Sequence, residues 1–246
     1  MTGRSSVKLN DYNALVTFNH RNRDAWVAGI AQRLAPGTRI LDVGAGECRY
    51  RSLFAHCQYQ AQDFAQYKGT AKGLLKQNWS YEKLDFVCDA TSIPTPDGSF
   101  DAVLCTEVLE HVPEPIKVLQ EIGRILRSGG TAFISAPLGS GLHQQPYHYY
   151  GGYTPYFYRK FLTEFGFTTI TVEPNGGFFR LLLQEINRGL GIVKYSGRYY
   201  PRWHPTRYLL RAVGSRYFAS WLTRLDEEIP VNEFTVGYHV EAVKSN

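Results

Sequence analysis

Apolar residues along the chain follow two alternating spacings, one typical of helices and the other typical of buried strands. Residues 24–34 carry apolar side chains at helical spacing, and residues 38–43 form a short apolar run that indicates a buried strand. Residues 35–37 (Ala-Pro-Gly) end the helix, and residues 44–46 (Gly-Ala-Gly) form a turn after the strand. The pattern then predicts a second helix over residues 47–57.

The same alternation continues along most of the chain. Further strands are predicted at residues 58–62, 84–88, 100–105, 131–136, 167–173 and 233–243, and further helices at residues 114–127 and 156–165. Strands that alternate with helices of about 10–15 residues form right-handed crossovers and a mostly parallel sheet with helices on both faces. We therefore predict an α/β fold in which ligands bind at the carboxyl ends of the strands.

Residues 174–230 interrupt this alternation before the last strand. Their pattern is helical in two pieces, residues 178–188 and 208–225, which are separated by a stretch rich in Gly, Pro and Tyr at residues 189–205. No internal repeat is present. We predict a single domain over residues 1–246 with a helical insertion that serves as a substrate cap or an interaction surface.

Composition places the chain among ordinary globular proteins. Of its 246 residues, 43% are hydrophobic and 20% are charged, which excludes disordered, collagen-like and disulfide-framed chains. Its four cysteines form no C-x-x-C pair, so no zinc ribbon or redox motif is expected and we predict no metal site. Residues 1–13 are polar and no apolar run reaches about 18 residues, so we expect a cytoplasmic protein without a signal peptide or spanning helix.

Charge is distributed unevenly along the chain. The net charge of +5 is too small to indicate a nucleic-acid binder by itself. Residues 186–224, however, contain eight Lys or Arg residues and no acid, interleaved with Tyr and Trp. Such a surface suits phosphate, anionic glycans or a lipid headgroup layer. The favoured interpretation is nevertheless a helical cap whose aromatic residues pack over an acceptor cleft or a partner subunit while its arginines face water. A nucleic-acid surface is the least favoured, because no RNA-binding module accompanies the insertion.

The turn after the first strand carries the first candidate site. Glycines at positions 44 and 46 allow positive backbone φ and a close approach to a ligand, with free N–H groups at the start of the next element. A dinucleotide fingerprint requires a third glycine where this chain has Arg49. The motif therefore favours a cofactor cradle other than one for NAD, although G-x-G also occurs at turns with a purely structural role.

Three acids stand at successive predicted strand ends. Asp42 precedes the turn, and Asp63 follows 21 positions later, about the spacing at which an acid accepts hydrogen bonds from ribose hydroxyls in this topology. Asp89 follows the third strand, where its carboxylate can accept from an adenine amine and the N–H of Ala90 can reach a ring nitrogen. Solvated turn acids or helix caps are the alternative interpretation of Asp63 and Asp89.

Four blocks of sequence, in this order, resemble the class I S-adenosylmethionine-dependent methyltransferases, in the group that methylates small molecules. They are residues 40–46 (ILDVGAG), 88–94 (CDATSIP), 99–112 (SFDAVLCTEVLEHV) and 125–130 (ILRSGG). The resemblance implies a Rossmann-like, doubly wound, seven-stranded, mostly parallel sheet with a reversed last strand, and S-adenosyl-L-methionine as the cofactor.

The resemblance also implies roles for particular residues. In that family the first-motif acid and glycines hold the methionine part, the acid after the second strand binds ribose, and the acid after the third binds adenine. The segment at Glu107 lines the methionine and substrate side. The expected cofactor contacts are Asp42, Gly44, Ala45, Gly46, Asp63, Asp89, Ala90 and Glu107.

Three histidines are the candidates for a catalytic role. Methyl transfer from a sulfonium is an in-line displacement, so alignment supplies most of the rate and a base is needed only to take the proton of a hydroxyl acceptor. His111 follows the fourth strand, and His143 and His148 lie in the loop at residues 138–153 after the fifth, where a lid is expected. Packing of the loop and capping of a helix are the alternative roles for these side chains.

We therefore expect transfer of a methyl group to an oxygen, or less favourably a nitrogen, of a small acceptor that is sugar-like, anionic or lipid-linked. Peripheral contact with a membrane is compatible with the basic insertion. The alternatives are an RNA methyltransferase that uses this insertion, a non-catalytic cofactor-binding scaffold, and a nicotinamide oxidoreductase on the same architecture. The sequence gives no oligomeric state.

Overall fold

The predicted strands assemble into one mixed sheet. The computed structural model describes residues 11–69, 80–81, 83–195 and 204–246. The strands are β1 (Arg39–Val43), β2 (Gln58–Asp63), β3 (Phe86–Val87), β4 (Phe100–Thr106), β5 (Leu126–Pro137), β6 (Phe167–Pro174) and β7 (Gly237–Lys244). Their order in the sheet is β3-β2-β1-β4-β5-β7-β6, with β1 to β5 parallel to their neighbours and β7 antiparallel to β5. The α/β fold with a reversed last strand is thereby confirmed.

Parallel pairing aligns the carboxyl ends of the central strands. Val43 is opposite Gln62 of β2 on one side and Cys105 of β4 on the other. The segments that leave β1, β2 and β4 therefore emerge at one edge of the sheet, which is where open α/β sheets bind their ligands.

Alternating side chains build a core on each face of the sheet. Leu41 and Val103 pack on one face, whereas Ile40 and Leu104 pack on the other against Val27. All five are fully buried. Burial on both faces requires the continuous apolar strands seen in the sequence and fixes the register of each strand.

Several of the helices begin at a side-chain cap. The helices are α1 (Tyr12–Val16), α2 (Phe18–Arg33), α3 (Pro115–Ile125), α4 (Pro155–Glu164), α5 (Phe178–Tyr195), α6 (Pro205–Val213) and α7 (Arg216–Glu228). The hydroxyl of Thr154 accepts a hydrogen bond from the Phe157 amide at the start of α4, and a proline fills the first helical position there. Because Leu126 is extended, α3 ends two residues before the predicted boundary and β5 begins at once.

One predicted helix does not form. Residues 47–57 contain only turns and a short 3-10 helix, Arg51–Phe54. Cys48 has a φ of 56°, in the left-handed region that an α-helix excludes. The third strand is also shorter than predicted, since only Phe86–Val87 pair with β2.

Contacts divide the chain into two compact units. One contains the sheet and covers residues 25–173 and 237–246, and the other takes residues 1–24 and 174–236. In the second unit, Leu15, Leu183, Ala219 and Leu222 form the core. The predicted helix at residues 208–225 is interrupted at Ser215, whose hydroxyl accepts from the Phe218 amide and starts α7.

The basic and aromatic residues at positions 196–203 lie outside the described residues. In the part of the chain that is described, no helix is both long enough and apolar enough to cross a membrane.

Candidate cofactor and acceptor site

The turn after β1 forms a backbone cradle. Gly44 and Gly46 have φ values of 68° and 53°, in the region that favours glycine. A Cβ atom at Gly44 would overlap the side chain of Val108, so the turn is packed from behind. Glycine is therefore required at position 44 for both backbone conformation and space.

Gln62 ties this turn to the neighbouring strand end. Its side-chain oxygen accepts a hydrogen bond from the Gly44 amide at 3.1 Å, and its side-chain nitrogen donates to the Cys88 carbonyl at 2.6 Å. Its backbone carbonyl accepts from the Ala45 amide at 2.9 Å. Gln62 is 1% exposed. Sequence reasoning missed this residue, because a glutamine within a strand carries no local signal of a bridging role.

Asp63 fixes the second glycine of the turn. One carboxylate oxygen accepts from the Gly46 amide at 3.0 Å, and the other accepts from the Ala65 amide at 2.8 Å. Burial raises the pKa of Asp63, while these amide hydrogen bonds lower it. Since each carboxylate oxygen has two acceptor sites, the group can also accept from ligand hydroxyls. The ribose contact stays a prediction.

Asp42 is placed differently from Asp63. It is 2% exposed, and its carboxylate accepts a hydrogen bond from the Tyr59 hydroxyl at 2.5 Å. Burial raises the pKa of Asp42 to about 7, against the lowering effect of the Tyr59 hydrogen bond. The guanidinium carbon of Arg51 lies 4.8 Å from the centre of the Tyr59 ring. Asp42 thus supports β1 and β2 from within the protein, and its contact with a cofactor stays a prediction.

Asp89 caps a turn directly after β3. One oxygen of its exposed carboxylate accepts from the Thr91 amide at 2.8 Å and from the Thr91 hydroxyl at 2.7 Å. The adjacent Ala90 is buried. The turn stands beside the Cys88 carbonyl that Gln62 binds, and the adenine contact of Asp89 and Ala90 stays a prediction.

Glu107 leaves the end of β4 in a left-handed conformation, with a φ of 55°. Its amide donates to the Ser135 carbonyl and its carboxylate accepts from the Ser135 hydroxyl, both at 2.8 Å. These bonds hold Glu107 against β5. Because the next residue, Val108, covers Gly44, Glu107 lies beside the cradle, and its contact with the methionine part of a cofactor stays a prediction.

The three candidate histidines are brought together. His111 ends the short 3-10 helix Leu109–His111, whereas His143 and His148 lie in the loop between β5 and α4. Ring centres are 4.7 Å apart for His111 and His143, 4.6 Å for His143 and His148, and 5.7 Å for His111 and His148. We call these three side chains the histidine cluster.

Backbone carbonyls determine which ring nitrogens carry hydrogen in two members of the cluster. Nδ1 of His111 lies 2.6 Å from the Tyr147 carbonyl, and Nδ1 of His143 lies 2.9 Å from the Gly141 carbonyl. A carbonyl only accepts, so both Nδ1 atoms donate and the lone pair of each neutral ring is on Nε2. Burial lowers the pKa of His111 to about 4, which keeps this ring neutral at pH 7.

His148 has the opposite tautomer. Its Nε2 lies 3.1 Å from the Ser140 hydroxyl, which itself donates to the Gly151 carbonyl at 3.1 Å. With the serine hydrogen directed to Gly151, Nε2 of His148 donates and Nδ1 carries the lone pair. Burial, followed by the charge of His143, lowers the pKa of His148.

Contacts of the loop connect the cluster to the cradle. The ring of Tyr147, whose carbonyl holds His111, packs perpendicular to the Phe64 ring with the ring centres 5.0 Å apart, and Phe64 follows Asp63 directly. The Tyr149 amide donates to the Glu110 carbonyl at 2.9 Å. The cofactor cradle and the histidine cluster therefore belong to one edge of the sheet.

Comparison with known proteins assigns the family. A family model described as a methyltransferase domain matches residues 41–134. Sarcosine/dimethylglycine N-methyltransferase of Halorhodospira halochloris is 29% identical over 160 residues, which are 60% of this chain and 57% of that protein. Ubiquinone biosynthesis O-methyltransferase of Xanthomonas campestris pv. campestris (strain B100) is 35% identical over 111 residues, which are 43% of this chain and 46% of that protein. The chain thus spans about half the length of these two relatives.

A third relative matches over more of its length. An uncharacterized methyltransferase of Mycobacterium sp. (strain JLS) is 30% identical over 194 residues, 73% of this chain and 72% of that protein. Two solved structures share the fold, each with a TM-score of 0.53. The cyclase SpnF is 22% identical and the match covers 92% of this chain and 82% of that chain. Phosphoethanolamine N-methyltransferase 2 of Haemonchus contortus, in complex with S-adenosyl-L-methionine, is 18% identical with coverage of 92% and 53%.

A cyclase and a methyltransferase both have this fold, so the fold does not by itself assign the class of protein. The match to the methyltransferase domain model and the similarity to methyltransferase sequences assign it. The chain belongs to the class I S-adenosylmethionine-dependent methyltransferases.

Proposed function

We propose that this chain moves a methyl group from S-adenosylmethionine to an oxygen of a small, hydroxyl-bearing acceptor, and less readily to a nitrogen. The observation that carries this proposal is the histidine cluster at the same sheet edge as the glycine turn. A neutral amine already offers a lone pair, whereas a hydroxyl becomes a good nucleophile only as its proton leaves. A site in which burial keeps the imidazole of His111 neutral, next to His148, whose pKa is also lowered, is therefore suited to a hydroxyl acceptor.

The cradle fits the proposed cofactor. Gly44 presents backbone where a side chain would be excluded, Gly46 has a positive φ that favours glycine, and Asp63 presents a carboxylate at the end of β2. In this arrangement Asp63 holds the ribose hydroxyls, Asp89 and Ala90 hold the adenine, and Glu107 lines the methionine side. The Haemonchus structure, solved with S-adenosyl-L-methionine, supports this choice of cofactor.

The chemistry of the reaction divides between cofactor and protein. When bound, S-adenosylmethionine supplies a methyl carbon on a sulfonium sulfur, which departs with the bonding electron pair as a neutral thioether. The acceptor oxygen forms the new bond to that carbon, and its proton passes to Nδ1 of His148. Alignment of acceptor and methyl group at about 3–3.5 Å can supply roughly 7–11 kcal/mol, and a positioned base adds about 10²–10⁴-fold.

The acceptor class follows from the loop that carries the cluster. Tyr149 and Tyr150 are exposed in this loop, which also contains Gln144 and Gln145, so the segment that carries two of the histidines offers rings for stacking and amides for hydrogen bonds. Such groups suit a sugar-like acceptor. The proposal that the acceptor carries an acidic or lipid-linked portion rests on the basic composition of residues 186–224 alone. The named relatives include an N- and an O-methyltransferase of small molecules, which supports a small acceptor.

The test is transfer of label from methyl-labelled S-adenosylmethionine to a panel of sugars, lipid-linked sugars, phenols, amines and RNA. We expect label in a hydroxyl acceptor, with turnover reduced in His148→Ala and unchanged in His56→Ala, a histidine whose Nε2 lies 3.1 Å from the Leu34 carbonyl. Label confined to amines or to RNA would overturn the proposed acceptor. Cofactor binding without label in any acceptor would instead favour a scaffold.

A further inference from the structure

We propose that Glu110, His111 and His143 form a binding site for one transition-metal dication such as Zn²⁺. Among the residues that the structure describes, these three side chains each offer one ligand atom, and the atoms all lie within 4.8 Å of one another. The metal site lies at the same edge of the sheet, on the side where the acceptor is proposed to bind. Any role of the metal in catalysis therefore rests on the proposed function.

The spacing of the first two ligands suits a single ion. Nε2 of His111 lies 3.7 Å from a carboxylate oxygen of Glu110. Two ligands at about 2.1 Å from an ion and separated by this distance subtend an angle of about 120°, within the range that zinc accepts. His143 completes the set from the opposite loop, and its ring packs against that of His111 at 86°.

Each imidazole is also oriented as a metal ligand requires. Metal-bound histidines generally donate their second N–H to a carbonyl or carboxylate, which fixes the tautomer and the ring plane. Tyr147 and Gly141 provide such carbonyls for Nδ1 of His111 and His143. Backbone carbonyls therefore fix the planes of the two rings that carry lone pairs on Nε2. This orientation is a second observation in favour of a metal site, independent of the short distances between the ligand atoms.

The ligand set selects the kind of ion. Two imidazoles and one carboxylate suit zinc, cobalt, nickel and iron, whereas Mg²⁺ and Ca²⁺ prefer oxygen ligands alone. Three protein ligands leave a coordination position for a further oxygen. An acceptor hydroxyl in that position would become more acidic, and its proton would pass to His148, whose ring centre lies 4.6 Å from that of His143.

Direct binding of metal to the full chain tests the site without any methyl transfer. Titration of the chelator-treated protein with Co²⁺, followed by visible absorption, and with Zn²⁺, followed by calorimetry, is expected to show one ion per chain and no competition by Mg²⁺. Loss of a hydrogen-bond partner behind a ligand costs about 10–100-fold in metal affinity, so His143→Ala is expected to weaken binding more than about 100-fold. Glu110→Gln is expected to do the same.

Two variants serve as controls. His56→Ala removes a histidine outside the cluster, and Glu114→Gln removes an exposed carboxylate that pairs with Lys117. Both are expected to bind Co²⁺ as the unchanged chain does. Circular dichroism tests whether Glu110→Gln folds. If it does not fold, His143→Ala, whose change lies in the loop between β5 and α4, provides the test.

Each outcome decides the inference. Saturable binding of one Co²⁺ that His143→Ala abolishes supports the metal site. If the protein binds Co²⁺ in this way but methylates no acceptor, only the proposed function is refuted. Absence of saturable binding, or equal affinity in His143→Ala and His56→Ala, overturns the metal site. Methyl transfer that persists at full rate in a chain shown to bind no metal would overturn the site and leave the proposed function intact.

Discussion

Gln62 offers a sharp test of how the cofactor cradle is held. Substitution by leucine, Gln62→Leu, keeps the volume of the side chain and removes its hydrogen bonds to the Gly44 amide and the Cys88 carbonyl. The net contribution of one such bond is about 0.5–1.5 kcal/mol, so the loss of both is expected to lower the free energy of unfolding by about 1–3 kcal/mol. Gly44 and Cys88 are only partly buried, so water can replace part of the lost hydrogen bonding to the Gly44 amide and the Cys88 carbonyl. The expected loss of unfolding free energy therefore stays within this range.

The same substitution is expected to weaken cofactor binding, because the Gly44 amide loses its acceptor and the turn is then held only by the packing of Val108 and the remaining backbone bond from Ala45 to Gln62. A cost of about 1.4 kcal/mol to reorder the turn corresponds to about tenfold in the dissociation constant. Urea unfolding, followed by circular dichroism, and calorimetric titration with S-adenosylmethionine measure the two effects. Gln58→Leu, at the exposed start of the same strand, is the matched control. Equal stability and equal affinity in the two variants would show that the Gln62 bridge does not hold the cradle.

Three further predictions concern the acids and the histidine cluster. Asp63→Ala is expected to weaken cofactor binding by about 1–3 kcal/mol, since the Gly46 amide loses its acceptor, and unchanged affinity in calorimetry would remove Asp63 from the site. His148→Ala is expected to lower kcat far more than cofactor affinity, whereas equal losses in both would indicate a structural role. Burial raises the pKa of Asp42 to about 7, above its value of about 3.9 in an unfolded chain. The folded chain therefore binds this proton more tightly than the unfolded chain, and protonation of Asp42 stabilises the fold. This stabilisation is complete below about pH 4 and is lost as the pH rises to about 7. The difference in unfolding free energy between the unchanged chain and Asp42→Asn should therefore decrease over this interval, by at most about 1.4 kcal/mol per pH unit, and a constant difference would contradict the assignment.

Local pattern was sufficient for elements whose burial follows a simple period. β1 and β4 lie within one residue of their predicted boundaries, because both faces of each strand are covered and most positions are apolar. The helix predicted after the glycine turn failed because one residue, Cys48, adopts a left-handed conformation. The thiol of Cys48 and the guanidinium of Arg51 both bond the carbonyl of Lys83, a distant partner that no window of sequence around Cys48 contains.

The candidate site shows the same division between local and non-local information. The glycine turn and the acids at the strand ends were found because each has a local cause, a positive φ or a position at the end of an apolar run. The bridge made by Gln62 depends on the pairing of β2 with both β1 and β3. The residues around Gln62 in the sequence do not reveal this pairing, so the bridge could not be predicted.

The histidine cluster depends on sheet order in a similar way. His111 follows β4 and His143 follows β5, and these strands are parallel neighbours, so the two segments leave the sheet at the same edge. The sequence alone indicated each histidine as a candidate proton acceptor but placed no carboxylate with them. Only the short helix Leu109–His111 brings Glu110 and His111 together against the returning loop, and this third side chain is what distinguishes a metal site from three separate bases.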